Sequence, residues 1–132
     1  MGYAVGDVIA ERTLHLTRES LVRYAGASGD FNPIHYRDDI AAAVGLPGVL
    51  AHGMLTMGLA SSVVLAALPA DVKLIDYGVR FTKPVVVDPD TGADVHVVAK
   101  VGAVDDTSAR IDLTVKYAEN TVLVKAQLRV AL

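Results

Sequence analysis

From Val49 to Leu68 the chain reads VLAHGMLTMGLASSVVLAAL, twenty residues without a formal charge. That is the length of a membrane span. His52, Thr56, Ser61 and Ser62 interrupt the run, Gly53 and Gly58 dilute it, and no cluster of Lys or Arg flanks it. Those features favour a helix buried in a core over one that crosses a bilayer, and no membrane partner is expected. A helix of about 20 residues is about 30 Å long, which fixes the size of whatever must cover it.

Beyond Pro69 the hydrophobic period changes from helical spacing to two. Ile75, Tyr77, Val79 and Phe81 share one face, with Asp76, Gly78 and Arg80 on the other. Val95, Val97, Ala99, Val101 and Ala103 repeat the pattern, then turn at Asp105–Ser108 into Ile111, Leu113, Val115 and Tyr117. A second turn at Glu119-Asn120 leads into Val122, Val124, Ala126, Leu128 and Val130. Upstream, Thr13–Leu16 reads as a short strand and Thr17 as the N-cap of a helix through Ala27. Asp38 or Asp39 can cap a short helix that Gly45 ends.

Strands of this length match the long helix, so a curved antiparallel sheet can wrap it from end to end. The fold expected is α+β, a single hot-dog domain over residues 1–132 with a long central helix. Edge strands would need covering, which favours a dimer. At 132 residues, 52% hydrophobic and 20% charged, the composition suits one such core. Twelve basic against fifteen acidic side chains leave no footprint for nucleic acid. The chain has no cysteine, which excludes disulfides, thiolate nucleophiles and Cys-based metal sites. MGYAVGDVIAER does not read as a signal peptide, so a cytoplasmic location is expected.

Chemistry concentrates in GDFNPIH, residues 29–35. Pro33 disfavours helix at Asn32, so Asp30 and His35 lie on a bend that can aim both at one spot. Asp30 offers a carboxylate, His35 an imidazole that titrates near neutrality, and Asn32 an amide able to orient a water. The same residues make a good polar turn, and on spacing alone the turn is favoured. His52-Gly53 shifts that balance. The start of an apolar helix carries free N–H groups and the positive end of the helix dipole, where an oxyanion can sit. An acid/base pair beside an oxyanion site is what enolate chemistry requires.

The stretch YAGASGDFNPIH, followed by AHGM at residues 51–54, resembles the signature of MaoC-like (R)-specific enoyl-thioester hydratases and dehydratases. Within that family, AHGMLTMG and YGVRFT resemble the B subunit of mycobacterial (3R)-hydroxyacyl-ACP dehydratases. The resemblance implies Asp30 and His35 as the catalytic dyad, Asn32 as a holder of the water, and the Gly53 amide as donor to the thioester carbonyl. It also implies a supporting role for Ser61. The reaction implied interconverts trans-2-enoyl and (3R)-3-hydroxyacyl thioesters of CoA or acyl carrier protein, with no metal or redox cofactor. Partner arrangements implied are a homodimer, or a heterodimer with a second hot-dog subunit.

Arg80 and Lys83 are candidates to meet CoA phosphates or an acidic carrier, although scattered cations usually form a solvated surface. His15 and His96 read as surface histidines, His52 as a residue that holds the helix start, and Met54 and Met57 as fillers of core gaps. A hot-dog thioesterase is a rival, but its acid would lie on the long helix, which here has none. A non-catalytic acyl-thioester-binding or structural subunit is the other alternative.

Overall fold

The computed structural model describes residues 2–132. Strand β1 (Val8–Leu16) runs into helix α1 (Arg18–Ser28), and a 3-10 turn (Pro33–His35) precedes the short helix α2 (Asp38–Ala43). Helix α3 (Gly53–Ala66) is followed by β2 (Lys73–Phe81), β3 (Ala93–Val104), β4 (Ser108–Tyr117) and β5 (Asn120–Ala131). Among the described residues these strands form one five-stranded antiparallel sheet in the order β1-β3-β4-β5-β2. Also among the described residues, no helix is long and apolar enough to cross a membrane.

Local chemistry sets the boundaries. Thr17 and Ser20 form a reciprocal capping box at the start of α1, each hydroxyl accepting from the other's backbone N–H. Gly29 ends that helix at φ 77°, a left-handed conformation that costs glycine little and turns the chain toward Asp30. Asp38 and Asp39 lie in the first turn of α2 rather than capping it; Arg37 is the N-cap. Strand β1 starts five residues before the expected Thr13, its register on β3 continuing through a bulge near Ala10.

The apolar run is not one helix. Val49 and Ala51 pair instead with the backbone of Val87 and Val85, and Leu50 donates to Ile34. Helix α3 therefore begins at Gly53 and spans 14 residues, about 21 Å rather than about 30 Å. It buries one stripe, Thr56, Ala60, Val63 and Val64, and leaves Met54 and Leu65 exposed. Met54 is thus a surface residue rather than a core filler, because it lies on the side of α3 that this sheet does not reach.

The sheet supplies the other side of the core: Val95, Val97, Ala99 and Val101 of β3, Ile111, Leu113 and Val115 of β4, and Ala126, Leu128 and Val130 of β5. Three details depart from strict alternation. A register shift after Val101 sets Ala103, expected on the inner face, opposite Arg110 of β4. The β4–β5 turn is Ala118-Glu119, both at positive φ, one residue earlier than expected. A bulge with Lys125 at φ 50° moves Leu123 inward beside Val122 and turns Val124 partly out. Bulges add local bend and twist, which suits a sheet that must curl around a helix.

Gly92 leads into β3 at φ 71°, and a Cβ there would clash with the Leu16 carbonyl oxygen, a backbone atom that cannot swing aside. Gly92→Ala is expected to lower unfolding stability by about 2 kcal/mol or more, measured by urea denaturation, from the left-handed penalty plus the clash.

Candidate active site

Asp30, Asn32 and His35 sit on the loop between α1 and α2, which folds as two successive side-chain turns. Asp30 Oδ1 accepts from the Asn32 N–H at 3.2 Å, and Asn32 Oδ1 from the Ile34 N–H at 3.3 Å. Turn chemistry and site chemistry are therefore the same object. With Oδ1 holding the bend, Asp30 Oδ2 is left facing His35 Nε2 at 4.0 Å. Asn32 is exposed and its oxygen is occupied by the turn, so its Nδ2 is the group it can offer to a water.

His35 is buried and its Nδ1 lies 2.7 Å from the Leu50 carbonyl oxygen. A carbonyl only accepts, so Nδ1 carries a proton, and in the uncharged form of the ring Nε2 presents a lone pair toward Asp30. The 4.0 Å gap exceeds a direct hydrogen bond, and one water about 2.8 Å from each atom can bridge it. Asp30, half exposed, is reachable from solvent.

The cleft beside His35 has a volume of about 320 Å³ and is lined by Gly53 and Thr56 of α3, Leu50, Ala51, Pro84, Val85, Val122, Leu123, Phe81, Thr82 and Lys83. His52 is the N-cap of α3, so the Gly53 amide is among the first-turn donors with no intrahelical partner, and Gly53 lines a cleft whose walls are mostly apolar. The Phe81 ring lies against Gly53, 3.0 Å from where a Cβ would stand.

Not every candidate residue converges there. Ser61 does not line the cleft, and its hydroxyl donates to Gly58 O in its own helix at 2.8 Å. Eight residues rotate a helix about 80° past a whole number of turns and advance it about 12 Å, so Ser61 shares neither the face nor the level of Gly53. Arg80 points to the outer face of the sheet beside Asp76, Lys125 and Gln127, as strand alternation requires. Lys83, past the end of the strand, does reach the cleft.

The sequence signal for Phe81 was absorbed by strand alternation, and Thr56 was hidden among apolar neighbours. His52 was read only as a helix holder. It is almost fully buried, donates from Nε2 to the Asp30 carbonyl oxygen at 3.1 Å, and stacks on His35 with centroids 3.8 Å apart. Asp30, His35 and His52 bring ligand-type atoms within 4.8 Å of one another. The two imidazoles lie within 22° of parallel, so their in-plane lone pairs run side by side instead of meeting at a point. Such a set makes a poor metal cage.

Burial pushes the His52 pKa below its ordinary 6.5, opposed by its bond to the Asp30 carbonyl, with His35 lowering it further and the Asp30 carboxylate raising it. Tyr24 of α1 packs edge-on against the same ring. The unfolded chain thus takes up a proton at His52 that the folded chain resists. Stability is expected to fall as pH drops through about 6.5 toward the lower folded value. Denaturation midpoints measured across that window should slope less in His52→Gln.

Comparison with known proteins bears on what this site does. The family profile described as MaoC like domain matches residues 4–122. A 3-hydroxyacyl-thioester dehydratase X of Mycobacterium tuberculosis is 39% identical over 79 residues, covering 60% of this chain and 27% of that protein. An (R)-specific enoyl-CoA hydratase of Rhodospirillum rubrum is 29% identical over 118 residues, 85% of this chain and 82% of its own. A solved structure described as a MaoC-like dehydratase superposes with a TM-score of 0.88 at 34% identity, covering 97% of this chain and 40% of that one. The chain thus spans about a quarter of the length of the mycobacterial relative.

Proposed function

The chain belongs to the MaoC-like domain family, and on that premise we propose that it is a hydro-lyase interconverting trans-2-enoyl and (3R)-3-hydroxyacyl thioesters. One observation carries the reading. His35, its Nδ1 proton fixed on Leu50, turns an Nε2 lone pair toward Asp30 Oδ2 beside an apolar cleft that begins at the free amide of Gly53.

In hydration, a water bridging Asp30 and His35 gives one proton to that pair as its oxygen bonds to C3 of the enoyl group. The electron pair of the C2–C3 double bond shifts to C1–C2 and the carbonyl π pair to the thioester oxygen, where the Gly53 N–H holds the enolate. The Asp30/His35 pair then returns a proton to C2, so water is added with no change in total oxidation state and no electron carrier is called for. Asn32 Nδ2 steadies the water. Lys83 at the cleft is the cation suited to a CoA or carrier phosphate; Arg80 on the outer sheet face is not. Ser61 supports the helix rather than the substrate.

The reading includes one cytoplasmic domain over residues 1–132 acting as a dimer. Support for pairing comes from the edge strand β2, whose Leu74, Ile75 and Phe81 are exposed, and from the uncovered side of α3 at Met54 and Leu65. A second copy and a second hot-dog subunit are the two candidate partners. The thioesterase alternative is disfavoured because GMLTMGLASSVVLA, the whole of α3, has no carboxylate.

Purified protein, its mass measured in solution, is incubated with trans-2-enoyl-CoA esters from crotonyl-CoA to long chains. Loss of the enoyl absorbance with (R)-3-hydroxyacyl product is expected. No turnover of any ester, with or without a second hot-dog subunit, would overturn the proposal.

A further inference from the structure

Among the buried polar groups of the described residues, His52 has no role in the chemistry above and does not line the cleft. Its side chain is not spent on capping α3, although it stands at the N-cap. The ring is instead turned back across the α1–α2 loop. Nε2 must carry the proton, because its neighbour at 3.1 Å is the Asp30 carbonyl oxygen. Nδ1 is then an acceptor, fully buried and with no hydrogen-bond partner. Burying an unpaired acceptor is destabilising, and an apolar ring of similar size would avoid it. Packing alone therefore does not account for histidine at this position.

Geometry does account for it. One face of the His52 ring stacks on His35 at a centroid distance of 3.8 Å, and Tyr24 of α1 meets the ring edge-on at 4.8 Å. The same ring is bonded to the backbone of Asp30 and is attached to the residue before Gly53. It thus touches or adjoins all three parts of the site: the acid, the base and the oxyanion donor. We infer that His52 is a positioning residue, setting Asp30 and His35 in one geometry against the first turn of α3, an assignment that rests on the hydration reading above.

Stacking works best with an uncharged His52, since a second cation at that spacing would repel a protonated His35 through a poorly screened environment. The titratable groups facing His52 are His35 from the 3-10 turn, Asp30 from the loop and Tyr24 from α1. Because catalysis is steep in distance, a shift of about 1 Å in the dyad can cost about 10² in rate.

The test uses three variants. Gln can extend its amide N–H to where Nε2 stands, Asn reaches only to the Nδ1 position, and Leu supplies volume with no donor. On crotonyl-CoA, kcat is expected to fall on the order of 10²-fold in His52→Leu and His52→Asn, with KM little changed. His52→Gln should recover much of the loss. In the same proteins, nitrogen-15 NMR of the imidazoles should show His35 as the Nδ1–H tautomer in the parent and in His52→Gln, and a mixture of tautomers in His52→Leu.

If His52→Leu turns over within about threefold of the parent, or if all three variants lose activity equally with the His35 tautomer unchanged, the inference is overturned while the hydration reading stands. A parent chain inactive on every enoyl thioester overturns the hydration reading. The NMR comparison then still decides whether His52 orders His35, an unchanged tautomer in His52→Leu counting against it. Should His52→Leu not fold, His52→Asn against His52→Gln makes the same comparison.

Discussion

Asp30→Asn is expected to keep the fold and to hydrate an enoyl thioester about 10²- to 10⁴-fold more slowly, the usual worth of a general acid or base. The substitution separates the two jobs of the side chain. An amide oxygen can still accept the Asn32 N–H that Oδ1 holds at 3.2 Å, so the bend survives. The other position becomes an NH₂ group on the side facing His35 Nε2, which removes one proton acceptor from the bridging water. Asp30 is half exposed, so little stability is at stake. Stopped-flow loss of enoyl absorbance, with circular dichroism on the same sample, reads both consequences. The matching change is His35→Asn, whose amide can keep the bond to Leu50 O while deleting Nε2. An equally large loss is expected there.

The second large effect is at the oxyanion donor. Gly53→Pro removes the amide hydrogen at the first residue of α3, the helical position that tolerates proline best. His52 already has φ −59° and ψ 132°, the conformation a residue before proline prefers. The helix should therefore persist while kcat falls about 10²- to 10³-fold, equivalent to about 3 to 4 kcal/mol of transition-state stabilisation. Gly53→Ala is the control. It keeps the N–H and asks only that the half-exposed Phe81 ring, 3.0 Å from the new Cβ, move aside. Similar losses in the proline and alanine variants would argue against the oxyanion role.

What the sequence disclosed and what it hid follow from the range of each signal. Period-two alternation is local, so the faces of β4, and of β3 as far as Val101, were legible residue by residue. It failed at β5, where the Lys125 bulge, a property of pairing rather than of composition, moved Leu123 to the inside. The apolar run from Val49 was read as one helix because hydrophobicity does not say where backbone hydrogen bonds go. Val49 and Ala51 spend theirs on a segment more than thirty residues away. In the site, Asp30, His35 and Gly53 were legible because acid, proline-forced bend and helix start are written within short stretches. What holds them in one place was not, since it depends on Leu50 and His52 reaching back across the loop. Ser61 was carried over from the resemblance and Arg80 offered for its charge alone, and helix rotation and strand alternation put both away from the cleft.

Crotonyl-CoA hydration measured side by side for the parent, Asp30→Asn, His35→Asn and the double variant decides whether Asp30 and His35 act as one catalytic unit. Each single change is expected to lower kcat by about 10² to 10⁴, and the double variant to be about as slow as the worse single one, because residues acting as a unit lose their effect together. Near-parental turnover in either single variant would contradict it.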